Sequence, residues 1–139
     1  MSRSGNAKEL IMGITCLLVE QNDDLIYLIR RYGEEAGMRI ITASGLEAVA
    51  LAGREQPAAI LLGSDLPGQK GWEVLHALKN DSRTYQIPVV MYAGMDQRAR
   101  MLEEGADGCL QLPCARADLL AVLETVGVWD GLASSAATT

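Results

Sequence analysis

Short apolar runs alternate along the chain with stretches in which apolar residues recur every three or four positions. A run of about four to eight apolar residues between turn residues is typical of a buried strand, whereas recurrence at i, i+3, i+4 and i+7 is typical of a helix with one apolar face. The apolar runs predict strands at 14–20, 38–43, 58–62, 87–92 and 109–112. A helical pattern follows each of them, so the chain consists of five strand–helix pairs.

The helical patterns differ in length and in strength. The first helix is predicted within 22–37, where Asn22 can cap its start. The third and fifth helices are predicted at 72–79 and 115–126. The second helix is assigned from a face of mostly small residues, and the fourth from residues at helical spacing before Gly105. These residues are Leu46, Val49, Ala50 and Gly53 in the second helix, and Met95, Arg98, Ala99 and Leu102 in the fourth.

Strict alternation of strands and helices predicts an α/β fold, in which helices cover both faces of a parallel sheet. The length of 139 residues is that of one domain. We expect the domain at 11–128, between a flexible N-terminal segment, 1–10, and a flexible C-terminal tail, 129–139. Ligands of such sheets bind outside the carboxyl ends of the strands. The residues at these ends are Glu20, Gln21, Gly63, Ala93, Gly94, Leu112 and Pro113.

The composition argues against two kinds of partner. The formal net charge is −6 and Lys and Arg form no run, which disfavours binding to nucleic acid or to an anionic membrane. Cys16, Cys109 and Cys114 follow neither a CxxC nor a metal-binding spacing. We therefore expect reduced thiols and a cytoplasmic location.

Three ordered motifs resemble the receiver domains of response regulators (the CheY-like family). LPGQKGWEVL (66–75) follows the third predicted strand, NDSRTYQIPVV (80–90) leads into the fourth, and EGADGCLQLP (104–113) leads towards the last helix. The resemblance runs from about residue 14 to residue 126, and several motifs in order are more specific than one short pattern. It implies a flavodoxin-like (βα)5 doubly wound fold with strand order 2-1-3-4-5, and a role in two-component signal transduction.

The resemblance also implies a phosphorylation site, from which this sequence departs. In typical receivers an Asp ending the third strand accepts a phosphoryl group, two acids after the first strand help to bind Mg²⁺, and a Thr or Ser and a Lys contact the phosphoryl oxygens. The matching positions here are Gly63, Glu20 with Gln21, Ala93 and Leu112. Without the nucleophile, we expect a pseudo-receiver that is not an enzyme, has no cofactor, metal or catalytic residue, and regulates signalling through protein contacts.

Two alternatives stay open. One is a receiver that accepts a phosphoryl group, with Mg²⁺, on a displaced carboxylate, either Asp65 or Glu20. The other is a sensor whose neutral pocket, at Gly63, Ala93 and Leu112, holds a small apolar ligand. Because Glu20 is the single charged residue among the pocket positions, we also expect the domain to be stable without Mg²⁺.

A second departure from the family concerns the surface for the partner. Between Ala93 and Gly105 the chain is shorter than the family pattern by about three residues, roughly one helical turn. The fourth helix, fifth strand and fifth helix form the usual output face of the family, so the choice of partner is expected to differ. The residues assigned to this face are Arg98, Arg100, Met101 and Cys109. The expected partner is a signalling protein, an output domain or a second copy of the chain, and not nucleic acid or a membrane.

Overall fold

The computed structural model describes residues 13–128, which form five strands and five helices. The strands are β1 (Thr15–Val19), β2 (Arg39–Ala43), β3 (Ala59–Gly63), β4 (Val89–Ala93) and β5 (Gly108–Gln111). The helices are α1 (Asp23–Glu35), α2 (Ala48–Glu55), α3 (Lys70–Asn80), α4 (Arg98–Glu103) and α5 (Arg116–Thr125). A short 3₁₀ turn, Pro67–Gln69, directly precedes α3.

The five strands form one parallel sheet in the order β2-β1-β3-β4-β5. Every residue of β3 and β4 is buried, because helices cover both faces of the sheet. The pairing aligns the strand ends, with Val19 beside Leu62 and Gly63 beside Tyr92. The predicted flavodoxin-like fold with strand order 2-1-3-4-5 is confirmed.

Two apolar cores hold the helices against the sheet. Successive strand residues point to opposite faces, so Leu62 lies in the core under α2, α3 and α4, whereas Leu61 lies in the core under α1 and α5. The inner face of α3 packs into the core under α2, α3 and α4. Its buried residues include Trp72, Leu75 and Leu78.

The predicted inner face of α2 is wrong. The helix begins at Ala48 and buries Ala48 and Ala52, while Ala50 is exposed. Leu46 precedes the helix and is 94% exposed. The alternation of small apolar residues in this segment fits more than one helical phase, so the sequence did not define which of them face the sheet.

The prediction for α4 also needs correction. The helix begins at Arg98 and buries Met101, whereas Met95 and Leu102 are 74% and 50% exposed. With six residues, α4 makes fewer than two turns of about 3.6 residues, too few for periodicity to define a buried face. The predicted strand 109–112 lies one residue earlier, as β5.

Two local features place the loops at the carboxyl edge of the sheet. The side chain of Asn22 accepts a hydrogen bond from the Leu25 N–H at 3.0 Å, which confirms the predicted cap of α1. The first turn of α3 lies against the end of β3, because a Cβ atom on Gly71 would be only 2.5 Å from the carbonyl oxygen of Gly63.

The predictions for 1–10 and 129–139 lie outside the described residues. The same holds for the first two residues of the predicted domain, 11–12. Within 13–128, no helix combines the length and the apolar character that crossing a membrane requires.

Candidate functional site at the carboxyl edge of the sheet

Four of the five predicted pocket residues lie at strand ends along this edge. Glu20 follows β1, Gly63 ends β3, Ala93 ends β4 and Leu112 follows β5. Since all the strands are parallel, these ends share one edge of the sheet. The Leu112 N–H donates to the Ala93 carbonyl oxygen at 2.8 Å, and the peptide bond that follows Leu112 is cis. Gln21, the fifth predicted residue, is exposed.

A hydrogen bond between Tyr92 and Glu20 crosses the centre of this edge. The Tyr92 hydroxyl donates to Glu20 Oε1 at 2.6 Å. The backbone N–H groups of Gln21 and Asn22 each donate to Glu20 Oε2 at 3.0 Å. Both carboxylate oxygens therefore have partners within the chain. Because β3 lies between β1 and β4, the Tyr92 side chain reaches Glu20 across the end of β3.

The space beside Gly63 is occupied by this pair. A Cβ atom on Gly63 would lie 2.6 Å from Glu20 Oε1 and 3.3 Å from both the hydroxyl oxygen and a ring carbon of Tyr92. A side chain at position 63 would therefore displace the Glu20 carboxylate from the Tyr92 hydroxyl. Neighbouring side chains, and not open space, fill the position that the sequence assigned to a neutral pocket.

The environment of Tyr92 keeps its phenol protonated. Burial raises the pKa of Tyr92 far above its usual range, and the hydrogen bond to Glu20 and the negative charge of that carboxylate raise it further. The side chain is 2% exposed and lies in the core under α1 and α5. Tyr92 is therefore a constant hydrogen-bond donor at neutral pH.

The residues at this edge do not fit the Mg²⁺ ion that the family resemblance implies. Mg²⁺ requires hard oxygen ligands in nearly octahedral geometry, usually with one or two carboxylates among them. Both oxygens of Glu20 are engaged, and Gln21 carries an amide. Asp65 is exposed and accepts a hydrogen bond from the Ser64 hydroxyl at 3.4 Å. Over residues 13–128, no three side chains of His, Cys, Asp or Glu are grouped so as to hold a metal ion.

Part of the predicted partner face is buried. Met101 is 2% exposed and lies in the core under α2, α3 and α4, so its assignment to a surface is wrong. Arg98 is exposed, and Cys109 is half-buried with its Sγ 3.8 Å from the Arg98 carbonyl oxygen. The Arg100 guanidinium lies 4.0 Å from the centre of the Trp72 ring, where it makes a cation–π contact with α3.

Further polar contacts join α3 to the segment that follows α4. His76 Nε2 lies 2.5 Å from Glu104 Oε1. Lys79 Nζ donates to Asp107 Oδ2 at 2.6 Å, and the same oxygen accepts from the Val89 N–H at 2.8 Å. These contacts hold the last turn of α3, the loop after α4 and the start of β4 together.

Burial makes the three thiols poor nucleophiles. It raises the pKa of Cys16 to about 12 and also raises the pKa of Cys109 and of Cys114. Since the thiolate is the reactive form, none of the three is activated at neutral pH.

The sheet order, the helices on both faces and the site at the carboxyl edge define a doubly wound α/β protein. Residues 16–124 match the family model of the response regulator receiver domain. The chain therefore belongs to this family and contains a receiver domain of two-component signal transduction.

Individual relatives agree with this assignment. The transcriptional regulatory protein HprR of Escherichia coli is 33% identical over 106 residues, which cover 76% of this chain and 48% of HprR. The phosphate regulon transcriptional regulatory protein PhoB of Pseudomonas aeruginosa is 32% identical over 120 residues, which cover 84% of this chain and 52% of PhoB. The chain thus spans about half the length of these curated relatives.

A solved receiver structure has the same fold. The receiver domain of sensor histidine kinase PA1611 from Pseudomonas aeruginosa, determined with a magnesium ion coordinated in its active site cleft, matches with a TM-score of 0.75 and 25% identity. The match covers 83% of this chain and 98% of that domain.

Sequence reasoning missed Tyr92, which determines the geometry of the site. The residue was assigned to an apolar strand, and its partner Glu20 lies 72 positions earlier in the chain. One signal was available, since a buried Tyr hydroxyl usually finds a hydrogen-bond partner. Tyr92 is the last residue of the predicted strand 87–92 and directly precedes Ala93. A hydrogen-bond partner for its hydroxyl is therefore expected at the carboxyl edge of the sheet.

Proposed function

We propose that this receiver domain is a pseudo-receiver, which accepts no phosphoryl group and regulates a protein partner through contacts that do not depend on phosphorylation. The observation that carries the proposal is the hydrogen bond between Tyr92 and Glu20 in the space beside Gly63. A carboxylate at the end of β3 would have to occupy that same space.

The first argument concerns the nucleophile. Phosphoryl transfer to a receiver needs a carboxylate oxygen that is free to attack phosphorus. Gly63 has no side chain, and both oxygens of Glu20 accept hydrogen bonds from within the chain. Asp65 lies on the loop after β3, where it is exposed and accepts from the Ser64 hydroxyl. Neither Glu20 nor Asp65 therefore offers an unengaged carboxylate oxygen enclosed within the site.

The second argument concerns charge. A transferred phosphoryl group is stabilised by cations or hydrogen-bond donors aimed at its oxygens. The side chains of Ala93 and Leu112, at the ends of β4 and β5, contain no polar atom. Leu112 packs against the core under α1 and α5. A phosphoryl group beside Gly63 would instead face the carboxylate of Glu20, which repels it.

The surface for the partner, in this proposal, includes a groove of about 480 Å³ between α4 and α5. Arg98, Leu102 and Cys109 line one side of the groove, and Val122 lines the other. The contact of Arg100 with α3 holds α4 in place without any phosphoryl group. The groove presents apolar and charged side chains side by side, a mixture that suits contact with a protein partner.

The proposal is tested by incubating the protein with Mg²⁺ and acetyl phosphate and measuring its intact mass. A receiver with an Asp at the end of its third strand serves as the positive control. We expect a phosphoryl adduct on the control and none on this protein. A stoichiometric adduct would overturn the proposal, and its loss in Asp65→Asn or in Glu20→Gln would identify a displaced phosphoacceptor.

A further inference from the structure

A cleft of about 540 Å³ lies between α2 and α3 at the carboxyl edge of the sheet. Three segments form its walls: the loop after β1 at Gln21, the first half of α2 with the loop before it, and α3 with the loop before it. Ligands of parallel α/β sheets bind at this edge, outside the carboxyl ends of the strands. The cleft is distinct from the space beside Gly63, which Tyr92 and Glu20 fill.

The walls of the cleft are mainly apolar. The apolar lining residues are Leu46, Val49, Leu66, Pro67, Val74 and Ala77. Gly45 lies at the point where the loop before α2 meets α3, since a Cβ atom there would be 3.4 Å from Val74 and 3.8 Å from Leu66. These are ordinary van der Waals distances, so the loop before α2 packs directly against Leu66 and Val74 at the floor of the cleft.

Leu46 extends this apolar surface to the solvent. It is 94% exposed, more than any other large hydrophobic residue among residues 13–128. A single exposed Leu is common on protein surfaces, but Leu46 adjoins an apolar cleft. A ligand in the cleft would therefore remove Leu46 and the cleft walls from water together.

The polar groups of the cleft carry no net charge. Lys70 Nζ lies 3.6 Å from Glu73 Oε1, and both side chains are more than half exposed. The Ser44 hydroxyl is hydrogen-bonded to the side chain and the backbone N–H of Glu47. The Gln21 side-chain amide, by contrast, makes no hydrogen bond to any residue of 13–128 and offers both a donor and an acceptor.

We propose that the cleft between α2 and α3 binds an uncharged, mainly apolar small molecule that carries a hydrogen-bonding group. Its apolar body would lie between Val49 and Val74, and its polar group would meet the amide of Gln21. The volume lies within the range of about 300–1,000 Å³ that is usual for small-molecule sites. Eleven residues line the cleft, whereas a standard protein interface uses about 20–30 residues on each side.

The charges at the rim favour an uncharged occupant. A charged ligand would lose hydration on entering apolar walls, and that loss is repaid only by an unengaged partner of opposite charge. Lys70 and Glu73 bring opposite charges to the same rim, so the rim has no net charge that would favour an anion or a cation. The proposal goes beyond the proposed function, because it requires neither the loss of phosphorylation nor a protein partner.

Naphthol tests the proposal as an uncharged aromatic probe with one hydroxyl, and naphthoate serves as its charged counterpart. Amide NMR shifts are followed during titration of the full chain with each compound. Ala77→Trp places a large side chain in the cleft from an exposed position of α3. Ala50→Trp is the matched control, since Ala50 is exposed on α2 and does not line the cleft.

We expect naphthol to cause saturable shifts at Gln21, in the loop before α2 and along α3, with an affinity at least tenfold above that of naphthoate. Ala77→Trp should weaken naphthol binding at least tenfold, and Ala50→Trp should leave it unchanged. Non-saturable shifts, shifts elsewhere, equal binding of naphthoate or full binding by Ala77→Trp would each overturn the proposal. So would a lower molecular mass of Ala77→Trp by light scattering, which would assign the cleft to a second copy of the chain.

Discussion

A buried phenol needs a hydrogen-bond partner. The partner of Tyr92 follows β1, a strand that is not adjacent to β4 in the sheet. Tyr92 lies on β4 and Glu20 follows β1, with β3 between them. The contact is feasible because Gly63, at the end of β3, has no side chain that would separate the two. The identity of residue 63 and the orientation of Tyr92 therefore depend on each other, and neither can be changed alone without cost.

Removing the Tyr92 hydroxyl should destabilise the domain. In Tyr92→Phe the Glu20 carboxylate loses a donor at 2.6 Å. Hydrogen bonds to charged groups contribute about 1.5–3 kcal/mol, so we expect the free energy of unfolding in urea to fall by about that amount. Tyr85→Phe is the control, because Tyr85 is 51% exposed and its hydroxyl accepts a hydrogen bond from the exposed side-chain amide of Gln86. Equal stability of the two variants would contradict this reading of the site.

The wild type and Tyr92→Phe should respond differently to alkaline pH. Burial, and then the contact with Glu20, raise the pKa of Tyr92 in the folded state, whereas an unfolded Tyr titrates near pH 10. A raised pKa contributes stability below the unfolded pKa, and that stability is lost as the pH rises above it. Above about pH 10 the unfolded chain loses the Tyr92 proton and the folded protein keeps it. The free energy of unfolding should therefore fall by up to ~1.4 kcal/mol per pH unit.

Tyr92→Phe lacks this contribution, so its deficit against the wild type should shrink above about pH 10. Cys16, whose pKa burial raises to about 12, adds a loss of the same sign in both proteins. Urea unfolding of the wild type and of Tyr92→Phe between neutral and alkaline pH measures the difference. A deficit that stays constant or widens with pH would show that Tyr92 is not the group responsible.

The first turn of α3 approaches the end of β3 closely at the site. A Cβ atom on Gly71 would be 2.5 Å from the carbonyl oxygen of Gly63 and 3.0 Å from the Cα and the carbonyl oxygen of Ser64. All three are backbone atoms, so the clash cannot be relieved by turning a side chain. The first turn of α3 can therefore lie this close to the end of β3 only because residue 71 has no side chain.

Gly71→Ala should force α3 away from β3. Overpacking of a well-packed region costs typically about 1–3 kcal/mol, and we expect a loss of that size in thermal or urea unfolding. Gly94→Ala is the control, since Gly94 has no atom within 4 Å of its Cβ position and no positive φ. It should be neutral or slightly stabilising. If Gly71→Ala proved as stable as Gly94→Ala, the close approach of α3 would not be a constraint on the fold.

The elements show where sequence patterns suffice and where they do not. The order of strands and helices followed from alternating patterns, and the motifs placed Glu20, Gly63, Ala93 and Leu112 at one edge. The buried side of α4 did not follow, because a helix this short turns a single residue, Met101, to the core. The contact between Tyr92 and Glu20 did not follow either, since a strand pattern records that a side chain is buried but not which distant group it meets.

For the molecule as a whole, the carboxyl edge offers two neighbouring surfaces with different properties. At Gly63 the edge is filled by a phenol and a carboxylate, and between α2 and α3 it opens into an apolar cleft. The groove between α4 and α5 lies beside β5, the edge strand of the sheet. Side-chain contacts with α3 position α4 and the residue that follows it. The groove beside α4 therefore forms without a phosphoryl group or a metal ion.

The stability of the domain should accordingly not depend on Mg²⁺. A site filled at about a hundredfold above its Kd would add ~2.7 kcal/mol to the free energy of unfolding, which for a domain of this size raises Tm by several degrees. With Glu20 engaged by Tyr92 we expect no such rise in thermal melts with millimolar MgCl₂. Because the net charge is −6, the reference is NaCl at equal ionic strength, which matches the general screening of repulsion. A rise that is specific to Mg²⁺ and is lost in Glu20→Gln would show that Glu20 leaves Tyr92 to bind the ion.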